Sequence, residues 1–284
     1  VFGRLGTFDV ATAGAINRFA FYICIPALGF RLITNAPLEE FDPLLLAGFL
    51  ATEIVMYGSG YVIGRFMFKT SRREAILLGL ACALTNHILF VLPIAINLCG
   101  EEAAAPIVAI ITMDSILLFS ATSMTMDIII HKDKSIFHLL GKIARNPPVV
   151  AMGSGLIVAL AGFDVPSNID LFLKFAGSAA APCALFALGV ILSQKQEAGR
   201  AMLPVSLTVL KLVVHPALAW LILITLFGLP ETISTPAMMV AAAPCGAMAF
   251  VLALNYQVRV DAIARAILYS SIGSLVTITL AAAL

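Results

Sequence analysis

Hydrophobic residues occur along this chain in long blocks that are separated by short polar linkers. Each block approaches the roughly 20 residues that an α-helix needs to cross the hydrocarbon core of a bilayer. Helices are expected because a lipid-exposed span has to satisfy its own backbone hydrogen bonds. The pattern predicts an all-α polytopic membrane protein with nine spans, at about 14–34, 43–64, 74–98, 104–130, 148–163, 169–193, 203–228, 235–256 and 261–284.

The charged residues between the blocks alternate in sign from one linker to the next. The linkers after the second, fourth, sixth and eighth segments are basic and carry Arg65, Lys69, Arg72, Arg73, Lys132, Lys134, Lys142, Arg145, Lys195, Arg200 and Arg259. The intervening linkers are acidic and carry Glu39, Glu40, Asp42, Glu101, Glu102, Asp164, Asp170 and Glu231. Because basic loops stay cytoplasmic, we expect the stretch with Arg4 and Arg18 inside and Leu284 outside.

The composition agrees with a chain whose surface faces lipid. Hydrophobic residues make up 61% of the 284 residues and charged residues only 12%, whereas soluble domains carry roughly a quarter charged residues. The net charge of +1 gives no electrostatic case for a nucleic-acid partner. The five cysteines are scattered without metal-ligand spacing, so they read as small apolar packing residues and no metal site is predicted.

Similar features recur in the two halves of the chain at nearly constant separations of 156, 151 and 158 residues. The pairs are Pro26 with Pro182, Pro93 with Pro244, and Glu53 with Lys211. The linker charges indicate that the two halves cross the membrane in opposite directions. Inverted repeats with interrupted helices at matching positions are typical of secondary transporters.

The helix count on either side of the central loop predicts the domain organisation. Four predicted helices precede this loop and five follow it. We therefore assign 1–131 to the first repeat, as helices two to five of ten. Residues 132–147 form a cytoplasmic linker, and 148–284 form the second repeat with helices six to ten. Equal repeats would require a first helix upstream of Val1.

Four stretches of the sequence resemble the auxin efflux carrier family, which includes bacterial dicarboxylate carriers and the plant PIN auxin exporters. They are Ala144-Arg145-Asn146-Pro147-Pro148-Val149, the run from Ala179 to Gly189, Lys211-Leu212-Val213-Val214-His215-Pro216, and Asn86 seven residues before Pro93. The resemblance implies two inverted five-helix repeats in a bacterial inner membrane. It also implies a crossover of the broken fourth and ninth helices, a scaffold domain and a moving transport domain.

Two prolines deep in apolar segments are candidates for the helix interruptions. Pro93 and Pro244 each remove a backbone donor and free a carbonyl one turn back. Unwound backbone there would offer N–H groups and half-helix N-termini to an anion. Cys245 and Gly246 follow directly, and Gly246 would let a ligand approach the backbone. The structural alternative is a pair of kinks relieved by packing.

The dipeptide Asn86-His87 places polar groups in the middle of a predicted span. A buried amide has to be hydrogen-bonded or line a cavity, and the resemblance gives Asn86 a substrate-contacting role beside the crossover. The alternative for Asn86 is a hydrogen bond between helices. His87 is a candidate proton carrier because histidine titrates near neutral pH, with a neutral packed imidazole as the alternative.

Further charged residues also lie inside predicted spans. Asp114 is a candidate for proton coupling or a cation site, or belongs to an internal ion pair, because intramembrane carboxylates are costly and usually face a cavity. The resemblance makes Ser115 a second substrate-contacting position. Glu53 and Lys211 occupy equivalent positions, so we expect them to pair structurally in the scaffold. The alternative is that Lys211 attracts substrate.

No motif for catalysis, for a nucleotide or for another cofactor is present in the sequence. The leading hypothesis is therefore a secondary carrier, not an enzyme, for a small carboxylate such as a dicarboxylate or an auxin-like acid. It would work by alternating access around a midplane crossover site and be driven by gradients, with protons or sodium as candidate coupling ions. The alternatives are a sodium-coupled symporter of the bile-acid carrier type and a non-transporting receptor or subunit. Homodimerisation through the scaffold follows by analogy only.

Overall fold

The computed structural model describes residue 5 and residues 7–131, 141, 144–193 and 201–283, with the backbone alone at 88 and 89. Several predicted linker and terminal residues lie outside these ranges. They are Val1, Arg4, Lys132, Lys134, Lys142, Lys195, Arg200 and Leu284.

The described parts of the chain are helical and contain no β-strand, only one isolated bridge. The helices run in the order α1 Val10–Thr34, α2 Pro43–Met67, α3 Arg72–Ala83, α4 87–99, α5 Glu101–Ile130, α6 Pro147–Leu160, α7 Ser167–Ser193, α8 Met202–Leu226, α9 Glu231–Ala241, α10 Met248–Asn255 and α11 Asp261–Ala281. Gly100 alone separates α4 from α5 and adopts a φ of 88° that favours glycine.

Six helices in the described ranges are long and apolar enough to cross a membrane: α1, α2, α5, α7, α8 and α11. The all-helical polytopic membrane class is therefore confirmed. The predicted span at 148–163 corresponds to the shorter apolar helix α6. The predicted spans at 74–98 and 235–256 are each divided in two, as α3 with α4 and α9 with α10. The total of nine spans and the repeat architecture stay predictions.

Local sequence signals explain where several helices begin. Asp42 Oδ1 accepts hydrogen bonds from the backbone N–H groups of Leu44 and Leu45 at 2.7 and 2.9 Å, and Pro43 occupies the first helical position of α2. Ser71 caps α3 by accepting from the N–H of Glu74 at 3.1 Å. These polar caps end the linkers and set the start of the apolar segments.

Three prolines follow a widened helical turn at the same distance. The wide turns cover Ala20–Cys24, His87–Val91 and Leu210–Val214, and each ends two residues before Pro26, Pro93 or Pro216. A proline ring clashes with the carbonyl four residues back and lacks an N–H. Widening of the preceding turn accommodates both defects, so these helices continue through their prolines.

The described residues group into two compact units, each built from several chain segments. The first unit takes its residues from Val1–Ala36, Asp114–Lys195 and Val251–Arg259. The second takes its residues from Pro37–Met113, Gln196–Phe250 and Val260–Leu284. Each unit combines residues from both halves of the sequence, and the predicted division into repeats at 1–131, 132–147 and 148–284 stays a prediction.

Glycines allow helices of the first unit to pack closely. A Cβ added to Gly177 of α7 would lie 2.9 Å from backbone atoms of Leu28, and one added to Gly155 of α6 would lie 3.1 Å from the carbonyl of Phe30. Small residues at helix contacts are the usual solution in membranes, where lipid competes for apolar surface. Both α6 and α7 therefore approach the backbone of α1.

A buried polar cluster joins α5, the start of α6 and the end of α10 within the first unit. The Asn146 Nδ2 group donates to Asp127 Oδ2 at 2.7 Å, to Ser123 Oγ at 2.8 Å and to Tyr256 Oη at 3.3 Å. The Tyr256 hydroxyl donates to the Ser123 carbonyl at 3.0 Å. Asn146 precedes Pro147 and Pro148 at the start of α6, and its side chain makes no cap bond there.

Replacing Tyr256 with phenylalanine is expected to destabilise the first unit. The change removes the hydroxyl that contacts Ser123 and Asn146, which leaves buried polar groups without their partner and costs about 1–3 kcal/mol. Thermal unfolding of the detergent-purified protein should show a lower midpoint. Tyr269→Phe is the control because this side chain is 40% exposed. Equal midpoints for the two variants would contradict the stabilising role of the cluster.

Candidate functional site: a crossing of two broken helices

The predicted third span is interrupted at residues 84–86 in the second unit. Helix α3 ends at Ala83, and the next residue, Leu84, has an extended ψ of 139°. Asn86, with φ of −84° and ψ of 71°, precedes the first residue of α4. The chain therefore leaves the helical conformation for three residues inside an apolar segment.

The predicted eighth span is interrupted in the same unit at residues 242–247. Helix α9 ends at Ala241 and α10 begins at Met248. Pro244, Cys245 and Gly246 lie within this break and are buried. Four half-helices, α3, α4, α9 and α10, therefore border the two breaks.

The two breaks pair with each other through their backbones. The N–H of Gly246 donates to the carbonyl of Leu84 at 2.9 Å, and the N–H of Asn86 donates to the carbonyl of Pro244 at 3.1 Å. Exchanging Leu84 with Pro244, and Asn86 with Gly246, converts one hydrogen bond into the other. The crossing therefore has a local two-fold symmetry, with an antiparallel bridge between Thr85 and Cys245 at its centre.

Gly246 is required by the close approach of the two backbones. A Cβ at this position would lie 2.8 Å from the carbonyl oxygen of Thr85 and 3.1 Å from its carbonyl carbon. Real Cβ atoms essentially never come so close to backbone atoms. The backbone of the first break thus occupies the space where a side chain at position 246 would lie.

Helix α11 supports the second break with two side-chain hydroxyls. The N–H of Cys245 donates to Ser270 Oγ at 3.1 Å, and the hydroxyl of Thr277 donates to the carbonyl of Ala242 at 2.6 Å. Ser270 is fully buried. These contacts satisfy backbone groups that the break removes from helical hydrogen bonding, as a membrane interior requires.

A fully buried lysine of α8 supports the first break. Lys211 Nζ donates to the carbonyl of Ala83 at 2.8 Å and to Thr85 Oγ1 at 2.6 Å, and it is 0% exposed. The Thr85 hydroxyl in turn donates to the carbonyl of Val240 in α9 at 3.2 Å. The ammonium thus neutralises the negative end of α3 and ties it to the crossing.

The chemistry available at the crossing follows from the remaining backbone donors. The N–H groups of Asn86, Cys245 and Gly246 are already engaged. The first turns of α4 and α10 leave N–H groups without intrahelical partners, and each carries the partial positive charge of a helix N-terminus. Two positive helix ends therefore begin on opposite sides of one buried crossing, an arrangement suited to anions.

The structure brings together most of the residues that the sequence predicted for the crossover. Asn86, Pro244, Cys245 and Gly246 all belong to the paired breaks. His87 is the first residue of α4 and is buried.

Pro93 lies outside the interruption of the predicted third span. It lies inside α4 on an exposed face, and the helix continues through it. The interruption falls at 84–86 instead, because the pairing with the second break, not the proline, determines where α3 ends. The residue that corresponds to Pro244 in the paired breaks is Leu84, not Pro93.

The remaining predicted site residues divide between the two units. Asp114 and Ser115 start the first unit's part of α5, in a widened turn at Asp114–Phe119, and Asp114 is buried. Glu53 and Lys211 are both fully buried in the second unit. The Lys211 ammonium contacts Thr85 at the crossing, and the structural pairing of Lys211 with Glu53 in a scaffold stays a prediction.

Sequence reasoning missed several polar residues that lie in the crossing, support it, or contact a side chain that supports it. They are Thr85, His215, Ser270 and Thr277. Each is a polar residue inside an apolar segment, and Lys211 and His215 are four residues apart on α8. The spacing and the intramembrane position were the available signals.

Polytopic helical proteins in which two broken helices meet within an apolar segment are typically secondary transporters. A family model described as "Membrane transport protein" matches residues 2–282. The chain therefore belongs to this family, the auxin efflux carrier family, and the resemblance noted from its sequence is confirmed. It is an integral membrane protein of a transporter family.

Two relatives match nearly the whole chain. A protein of Rhizobium meliloti described as "Putative malonate transporter" is 30% identical over 278 residues, which is 94% of this chain and 85% of that protein. An uncharacterized transporter of Methanocaldococcus jannaschii is 26% identical over 281 residues, which is 94% of this chain and 88% of that protein. Both relatives are described as transporters.

Proposed function

We propose that this protein is a secondary carrier of small dicarboxylates that binds its substrate at the crossing of the two breaks. The observation that carries the proposal is the meeting of the α4 and α10 N-termini around one buried, two-fold pairing of backbones. Each helix end favours negative charge. A substrate with a carboxylate at each end matches two such sites better than a monocarboxylate does.

The name of one relative supports the same substrate class. Malonate, which the Rhizobium meliloti relative is described as transporting, is a three-carbon dicarboxylate. In our proposal one carboxylate lies at the N-terminus of α4, next to Asn86 and His87, and the other at the N-terminus of α10, next to Cys245 and Gly246. The side-chain amide of Asn86 donates a further hydrogen bond to the bound anion.

The transport cycle that we propose is alternating access. The crossing is exposed to one side of the membrane at a time, and a gradient of a coupling ion drives net movement. Asp114 and His87 are the proposed coupling groups because both titratable side chains are buried within apolar segments. We further propose a bacterial inner-membrane location with the C-terminus outside and a homodimer as the assembled form.

The direct test is uptake into proteoliposomes that contain the purified protein. Radiolabelled malonate is the substrate, and unlabelled malate, succinate, acetate and indole-3-acetate serve as competitors. We expect dicarboxylates to compete and acetate to fail at the same concentration. Replacement of sodium by choline identifies a sodium-coupled carrier, and collapse of the pH gradient identifies proton coupling. Absence of malonate uptake, or competition by acetate as strong as that by the dicarboxylates, would refute the proposal.

Replacing Asn86 with alanine is expected to weaken malonate transport by about tenfold, the loss of roughly one hydrogen bond to a charged group. The loss should appear as a higher KM, since the amide contributes to binding. Asn97→Ala is the matched control, because that exposed amide donates within α4, to the carbonyl of Pro93 at 2.7 Å. A wild-type KM for the Asn86→Ala variant would show that Asn86 does not contribute to substrate binding.

A further inference from the structure

The second unit contains a buried histidine, His215 of α8, that lies next to Lys211 without touching the crossing itself. The distance from Lys211 Nζ to His215 Nδ1 is 3.0 Å, and the His215 ring is 0% exposed. We infer that His215 is a positioning residue, whose Nδ1 holds the Lys211 ammonium on the first break. The transport part of this inference rests on the proposed function, whereas its structural part does not.

The neighbouring hydrogen bonds settle the tautomer of His215. An ammonium group can only donate, so Nδ1 of the imidazole has to accept from Lys211. The proton is then on Nε2, which lies 3.4 Å from Thr52 Oγ1. The Thr52 hydroxyl donates to the carbonyl of Phe49 at 2.7 Å, so its oxygen is open to accept from Nε2. One neutral tautomer therefore satisfies every contact.

These bonds form a single directed chain through the second unit. His215 donates to Thr52 on one side and accepts from Lys211 on the other. Lys211 donates onward to Ala83 and Thr85 of the first break. The chain thereby connects α2 and α8 with the break between α3 and α4.

The acceptor that His215 Nδ1 supplies to Lys211 matters for the stability of the break because the ammonium is buried. A lysine has three N–H donors, and inside an apolar unit each of them needs an acceptor. Two acceptors belong to the first break, and His215 supplies another from α8 itself. Without Nδ1 the ammonium loses the acceptor that holds it from the side of α8, and its position on the first break becomes less well defined.

Two substitutions separate the role of Nδ1 from the volume of the ring. His215→Asn places an amide oxygen close to the position of Nδ1 and keeps the acceptor for Lys211. His215→Gln extends its amide toward the position of Nε2 and keeps only the contact with Thr52. We expect the Asn variant to transport malonate with near wild-type KM. We expect the Gln variant to show a KM raised about tenfold, with a smaller change in kcat, because a displaced break binds anions less well.

A readout without substrate distinguishes failure of this inference from failure of the proposed function. In the Lys211→Met background the acceptor at position 215 has no ammonium to hold. The experiment is a double-mutant cycle. With Lys211 present, the His215→Asn and His215→Gln variants should differ in thermal midpoint. In the Lys211→Met background, the same two variants should have equal midpoints. Equal midpoints and equal KM values for the two variants with Lys211 present would overturn the positioning role. So would an unchanged difference in the Lys211→Met background.

Discussion

Replacing Gly246 with alanine is expected to reduce transport by at least about tenfold. The new Cβ would lie 2.8 Å from the carbonyl oxygen of Thr85, and neither backbone can yield as a flexible side chain would. Overpacking of this kind costs about 1–3 kcal/mol. The strain is relieved only by separating the two breaks, which lengthens the hydrogen bond from the Gly246 N–H to Leu84 and moves the N-terminus of α10. Initial rates of malonate uptake in proteoliposomes measure the effect.

Gly189→Ala in α7 is the matched control, since nothing lies within 4 Å of a Cβ at that position. This variant should reconstitute and transport like the wild type. Size-exclusion profiles in detergent establish whether the Gly246→Ala protein is folded. A folded Gly246→Ala protein with wild-type uptake would show that the close pairing of the breaks is unnecessary for transport.

Replacing Lys211 with methionine is expected to lower both stability and transport. Methionine has a similar length but no donor, so the carbonyl of Ala83, the Thr85 hydroxyl and His215 Nδ1 all lose the bond from the ammonium. Each buried polar group left without a partner costs about 1–3 kcal/mol. We expect a clearly lower thermal midpoint and an uptake rate reduced by at least about tenfold, because the first break loses its support.

The same substitution at an exposed lysine, Lys174→Met in α7, is the control. Lys211→Arg adds a second test, because the larger planar guanidinium cannot reproduce three donors from one nitrogen and should remain impaired. An unaltered thermal midpoint for Lys211→Met would show that the buried ammonium does not stabilise the crossing.

The membrane class and several site residues could be predicted from local sequence features. Asn86 and Pro244 were recognised because polar or helix-breaking residues are conspicuous in apolar segments, and both lie in the paired breaks. Lys211 stood out for the same reason. Intramembrane polarity is informative because it is costly unless partners are present.

Pro93 shows why a local signal was insufficient for the break itself. A proline can be accommodated by a widened turn, as the turn before Pro93 shows, so its presence does not require an interruption. Leu84 and Thr85 carry no breaking signal, yet the chain is extended there. Their conformation depends on hydrogen bonds to residues about 160 positions away, which no local pattern encodes.

Hydrophobic patterning and the family resemblance were sufficient to identify a helical membrane protein of a transporter family and the few polar residues within its apolar segments. The contacts among those residues came from the folded structure alone: Thr85 with Cys245, Lys211 with Thr85 and His215, and Ser270 with the Cys245 backbone. This division arises because hydrophobicity and helix length are properties of single segments. The partners of an unsatisfied backbone group, in contrast, come from whichever distant segment folding brings beside it.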